Sequence, residues 1–166
     1  MTAGSTYTPI ATATATGSQN TITFSSIPST YTDLILVTQI AFGVDSVSIG
    51  MILNSDTSAN YSYTYLLGNG SAASSGRSSN LTTGIAFGYV ATAGQTTISN
   101  VNIQNYTSTT AYKAVLNRDN NAGNRAQFSS QIWRSTAVIN RLDLITSSGN
   151  NYNSGSTFTL YGIAAA

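Results

Sequence analysis

Histidine, cysteine and glutamate are all missing from this 166-residue chain. Without histidine there is no imidazole base, no Ser-His-Asp triad and no histidine metal ligand. Without cysteine there is no disulfide framework and no thiolate chemistry. The acidic side chains reduce to Asp33, Asp45, Asp56, Asp119 and Asp143, scattered over separate segments. Nothing in that scatter supports the converging carboxylate pair of a glycosidase. Lys113 is the single lysine and sits in an ordinary strand pattern, so a Ser-Lys mechanism has no motif to rest on. The expectation is a protein that is not an enzyme, with no catalytic residues, no cofactor and no metal.

Charge is scarce as well: 7% of residues, against roughly 25% in an ordinary domain. The net charge of +1 offers no pull towards nucleic acid or an anionic membrane. A surface so poor in ions also lacks the usual device against association, which favours packing on other chains. No apolar run approaches the length of a membrane helix. The start, Met-Thr-Ala-Gly-Ser-Thr-Tyr, lacks the basic region and apolar core of a signal peptide. The expectation is a protein made in a cytoplasm and left soluble there.

What is present is strand chemistry. Hydrophobic residues make up 41%, which excludes a charge-rich disordered chain. Polarity comes from serine, threonine and asparagine. Threonine and the 10 tyrosines favour strands, while asparagine, serine and 14 glycines favour turns. Asp33 to Gly43 is the longest strongly apolar run, with Leu34, Leu36, Ile40 and Phe42 on one side and Ile35, Val37 and Ala41 on the other. Apolarity on both sides predicts a central strand covered on both faces.

Tyr7 to Ala15 alternates strictly and carries Pro9, so residues 1–16 are expected to form an arm or an edge strand. Further strands are expected around Ile22–Phe24, Val47–Leu53, Tyr61–Leu67, Ile85–Val90, Tyr112–Arg118, Ala126–Trp133, Val138–Ile145 and Thr157–Ile163. Ile98 is out of phase with Val101 and Ile103, which predicts a bulge near Ser99–Asn100. Ser71 to Asn80 is expected to be a long loop. With about ten short strands and no amphipathic helix, the fold class is all-β, an antiparallel two-sheet sandwich in one domain. A jelly roll is favoured over an immunoglobulin-like sandwich on strand count.

Few segments suggest a site. Asn54-Ser-Asp56-Thr-Ser-Ala-Asn60 concentrates oxygen ligands as calcium loops do, but has one carboxylate and no EF-hand spacing. Asx residues capping their own turn explain it better, and Asp119 to Asn124 reads the same way. Arg134 is expected to stack on an aromatic ring or to pair with Asp143. Tyr61, Tyr63 and Tyr65 share one strand face, and Arg77 follows in the next segment. These four residues form the candidate contact surface. The tyrosines fit a packed sheet covering, a subunit contact or a sugar platform.

Several segments are also familiar as text. They are Ile22-Thr-Phe-Ser-Ser-Ile-Pro-Ser-Thr-Tyr-Thr-Asp-Leu-Ile-Leu-Val37, Asn60-Tyr-Ser-Tyr-Thr-Tyr-Leu-Leu-Gly-Asn-Gly70, Ile132-Trp-Arg-Ser-Thr136 and Gly155-Ser-Thr-Phe-Thr-Leu-Tyr-Gly-Ile163. Together, and in this order, they resemble small virion structural proteins of tailed phages, of the kind found in cyanophages and other aquatic phages. The resemblance implies a capsid decoration (cement) protein, with a head- or tail-fibre knob that binds a host glycan as the alternative. It implies location in the virion. Its partners would be other copies of the chain, a trimer being the state expected, and phage capsid or tail proteins. It carries over no functional residues. Contacts made by so charge-poor a chain are expected to depend little on salt.

Overall fold

The computed structural model describes residues 6–82, 84–90, 93–123, 125–147 and 149–164. Twelve strands are present: β1 Tyr7–Thr14, β2 Thr21–Phe24, β3 Asp33–Ala41, β4 Val47–Leu53, β5 Tyr61–Gly68, β6 Ala73–Leu81, β7 Ile85–Val90, β8 Thr96–Gln104, β9 Lys113–Asn121, β10 Ala126–Trp133, β11 Leu142–Thr146 and β12 Thr157–Ile163. They form an eight-stranded sheet in the order β1-β12-β3-β8-β9-β10-β5-β6 and a four-stranded sheet in the order β2-β11-β4-β7. Every pairing is antiparallel. The protein is all-β, two sheets around one core, and no helix occurs among the described residues.

Period-two alternation builds that core. β3 turns Leu34, Leu36 and Ile40 inward, β4 turns Val47, Ile49, Met51 and Leu53 inward, and all are essentially inaccessible. Phe158 and Leu160 of β12, Val101 and Ile103 of β8, and Leu142 and Leu144 of β11 fill the space between them. Aromatic rings plug the ends. Phe42 and Tyr152 stack with centroids 5.2 Å apart, and Tyr152 meets Phe158 edge-on at 5.0 Å. Tyr152 Oη donates to Leu144 O at 3.1 Å, so the buried hydroxyl keeps a partner. At the opposite end Tyr31 lies directly over Gly162, where a Cβ would stand 2.3 Å from the ring.

Along β8, β9 and β10 the inward face changes character. Thr97, Ser99, Asn117, Asp119, Ser129 and Gln131 are buried there, beside Val101, Val115 and Trp133. This polar half of the interior is held by local hydrogen bonds, including Asn117 Nδ2 to Asp119 Oδ1 at 2.8 Å and Gln131 Nε2 to Ser129 Oγ at 3.1 Å.

Three expectations need correcting. β3 is central, but its outer face is only partly covered: Ile35 is 6% exposed, while Val37 on the same side is 37% exposed. The segment taken for a long loop is mostly β6, an edge strand paired with β5. It lacks alternation because nearly every side chain on either face meets water. No bulge interrupts β8, whose register with β3 runs unbroken from Ile103 to Thr96. Ile98 falls out of phase because it faces outward, 52% exposed, while Thr97 and Ser99 take the inward places. The first strand is an edge strand, as Pro9 suggested, with its register slipping between Pro9 and Ala11.

Candidate outer-face contact site

The pairing registers define what lies side by side on the outer face of β9, β10, β5 and β6. One row runs Ser75, Leu66, Phe128, Arg118; the next runs Arg77, Thr64, Ser130, Leu116. A third places Ser62 beside Ile132 and Ala114. Leu66, Phe128 and Ile132 are 61%, 49% and 37% exposed, with Leu66 and Phe128 directly opposite each other. Cross-strand apolar pairs of this kind stabilise a sheet, but here water covers them. Two shallow depressions mark the face. One, of 810 Å³, is bordered by Ser62, Thr64, Arg77, Ser130 and Ile132. The other, of 680 Å³, is bordered by Leu66, Ser75, Gln127 and Phe128.

The four residues expected to form one contact surface do not. Tyr61, Tyr63 and Tyr65 do share a face, but it is the inner one, while Arg77 lies outside opposite Thr64. Tyr61 is 1% exposed and belongs to the core. It stacks on Trp133 at 6.4 Å, and its hydroxyl donates to Asp56 O at 2.8 Å and accepts from Leu53 N at 3.1 Å. Burial pushes this phenol up to about 12. Tyr63 and Tyr65 are half-buried with centroids 6.0 Å apart, and the Tyr65 ring lies across Gly76. Packing is therefore the reading that describes the tyrosines. The outward Leu66, at the opposite parity, is the residue of that strand on the candidate site.

The loop from Asn54 to Asn60 caps its own turn, as its composition suggested. Asp56 Oδ1 accepts from Ser58 N at 2.9 Å; Oδ2 accepts from Asn60 Nδ2 at 2.8 Å and from Trp133 Nε1 at 2.7 Å. Burial raises the Asp56 pKa, but hydrogen bonds from Asn60, Trp133 and Ser58 outweigh that and hold it at about 2. Asp119 departs from the turn-capping expectation. It is a buried strand residue, 3.8 Å from Arg125 Nη1, and Asn121 Oδ1 caps the turn instead by accepting from Gly123 N at 3.1 Å. Desolvation raises the Asp119 pKa, and Arg125 and Asn117 oppose it. Arg125 in turn lies over the Tyr89 ring, 4.7 Å from its centroid. Asn124 lies outside the described residues.

Arg134 neither stacks nor pairs with Asp143. It donates to Ser62 Oγ at 2.5 Å, Ala59 O at 2.6 Å and Asn80 Oδ1 at 2.9 Å, tying β10 to the far end of β6. Asp143 belongs to Arg141, bound through two bonds of 2.7 Å. Lys113 opens β9 fully buried, its Nζ donating to Ser108 O and to Ala111 O. No group of three or more acidic ligands capable of holding a metal occurs among the described residues. Comparison with protein-family models, curated proteins and solved structures finds no match.

Proposed function

We propose that this domain is a non-enzymatic structural protein of a tailed-phage virion, a capsid decoration protein that works as a homo-oligomer through protein–protein contacts. One observation carries the proposal beyond the resemblance in its sequence. The outer face of the larger sheet leaves Leu66 and Phe128 exposed side by side, an apolar pair suited to another protein surface. Hydroxyl and amide groups around that pair can form wet, hydrogen-bonded contacts at its rim.

The strand pairing also favours the jelly-roll form of the sandwich. β2 pairs with β11, β3 with β8, β4 with β7 and β5 with β6, the nesting of one long ribbon rolled on itself. β9 and β10 are then an insertion beside β8, and β1 with β12 an addition at the far edge.

The alternative, a fibre knob that binds a host glycan, is favoured by the hydroxyl-lined depression beside Arg77. Sedimentation and particle binding separate the two. A decoration protein sediments above its 17.3 kDa monomer and binds phage heads that lack it, with a fixed copy number. A strict monomer that ignores phage heads but binds a host polysaccharide supports the knob and overturns the decoration role.

A further inference from the structure

We infer that the outer face of β9, β10, β5 and β6 docks a polypeptide surface that presents carboxylates around an apolar centre. This deepens the virion assembly reading by naming the face and its partner chemistry, and it rests on that reading only for where the partner is found.

The charges divide unequally over the molecule. Two arginines have their carboxylates already: Arg125 pairs with Asp119 inside, and Arg141 with Asp143 on the other sheet. Asp33 and Asp45 accept from the backbone N–H groups of Asn105 and Ala93, and Asp56 is committed to Trp133, Asn60 and Ser58. Arg77 and Arg118 have no ion pair among the described residues, and both lie on the outer face of this half-sheet. Arg134 adds a third positive charge at its border, bonded to neutral acceptors only. The four strands send no carboxylate outward, because Asp119, their single acidic residue, points inward.

Geometry sets the spacing. Arg77 on β6 and Arg118 on β9 are three strands apart, about 14 Å at the usual interstrand distance. Leu66 and Phe128 lie on the two strands between them, and Ile132 lies one row beyond Arg77. The face is thus a cation, an apolar centre and a second cation, with room in the two depressions for side chains entering from outside. Guanidinium groups bind carboxylates through paired hydrogen bonds, and that geometry distinguishes an acidic partner from a merely polar one. A second copy of this chain is the wrong occupant. Packing the face on itself would desolvate Arg77 and Arg118 of both copies with no carboxylate to receive them. The exposed Leu66–Phe128 pair favours a polypeptide over an acidic polysaccharide, since it offers apolar area that a protein side chain fills.

The test is a titration followed by amide chemical shifts. Probes are a synthetic peptide of alternating glutamate and leucine, the same peptide with lysine for glutamate, and an alginate oligosaccharide. The glutamate peptide should shift the signals of Leu66, Phe128 and Ser130 and bind at least tenfold more tightly than the lysine peptide. An Arg77→Glu/Arg118→Glu variant, with an unchanged melting temperature, should lose that binding at least tenfold. Equal binding of both peptides, or an unaffected double variant, overturns the inference. So does alginate binding in place of the glutamate peptide, or concentration-dependent shifts of the same signals without any probe. Phage heads lacking the protein provide the separate readout. If the glutamate peptide binds this face but the heads are ignored, the virion reading fails and the face stands. If the heads bind wild type and double variant equally, the face fails and the virion reading stands.

Discussion

Replacing Asp56 by asparagine removes one negative charge and keeps an oxygen where Trp133 Nε1 donates at 2.7 Å. The wild-type carboxylate is held at about 2 instead of 3.8 because Asn60, Trp133 and Ser58 donate to its charged form more than burial penalises it. A displacement of that size corresponds to at most about 2.5 kcal/mol at roughly 1.4 kcal/mol per unit. The carboxylate stands at the edge of the core and in partial contact with water, so solvent screening reduces this to about 1 kcal/mol. At neutral pH, Asp56→Asn should therefore melt about 2–4 °C below wild type. Asp56→Ala should fall further, by about 6–12 °C, since it leaves the indole N–H of a buried tryptophan unpaired at an added cost of about 2 kcal/mol.

The pH dependence separates charge from shape. A carboxylate whose folded pKa is depressed contributes its stability above the ordinary value near 4, and loses it as pH falls through about 2. Asparagine does not titrate. The gap between wild type and Asp56→Asn should then be full at pH 5 and close by about pH 2. Differential scanning calorimetry of the two proteins measures it, and subtracting one from the other cancels Asp119 and Asp143. A gap that persists unchanged at pH 2, or no gap at pH 7, refutes the assignment of Asp56 as a charged hub.

Leu36→Asp should prevent folding, because Leu36 is inaccessible at the centre of the larger sheet and an unpaired carboxylate would be forced into the core; a circular dichroism melt within a few degrees of the parent contradicts this. Gly162→Ala should cost about 1–3 kcal/mol by driving a methyl group into the Tyr31 ring, and Tyr31→Ala in the same chain should recover part of the loss. Phe128→Ser should leave the melting temperature nearly unchanged yet weaken binding to phage heads, with a thermal scan and a pull-down as the paired measurements. Raising salt should weaken head binding only modestly in the wild type, and the part it weakens should vanish in Arg77→Glu/Arg118→Glu.

The core was legible wherever one face of a strand was apolar and the other was not. Val47, Ile49, Met51 and Leu53 alternate with Ser48, Gly50 and Ile52, and burial follows that alternation. β3 misled in part because Ile35 and Val37 are both apolar on the outer side, and composition cannot say that Ile35 is covered there while Val37 meets water. β6 was hidden for the opposite reason. Ser74-Ser75-Gly76-Arg77-Ser78-Ser79 carries no periodic signal, and it is a strand because β5 offers it a backbone ladder. The candidate site shared that difficulty. Parity assigns Leu66 to the face opposite Tyr61, Tyr63 and Tyr65, but only the register of β10 brings Phe128 beside it. Likewise the 7% charge fixes how many ions there are, while only the fold collects the arginines without carboxylates on one side.

The two sheets are unequal, eight strands against four, and β6 is an edge strand of the larger one with no fully buried side chain. Its backbone is held by β5 alone, with most of its side chains in water and only Leu81 packed against the core, while β3 and β8 are pinned by two neighbours and a packed core. Opening β6 should cost much less than global unfolding, so native-state amide exchange should run in a gradient across the larger sheet, quickest in β6 and slowest in β3 and β8. A molecule graded in this way has a firm middle and a yielding margin at β6, and on any surface that it joins the margin can conform while the middle keeps its shape.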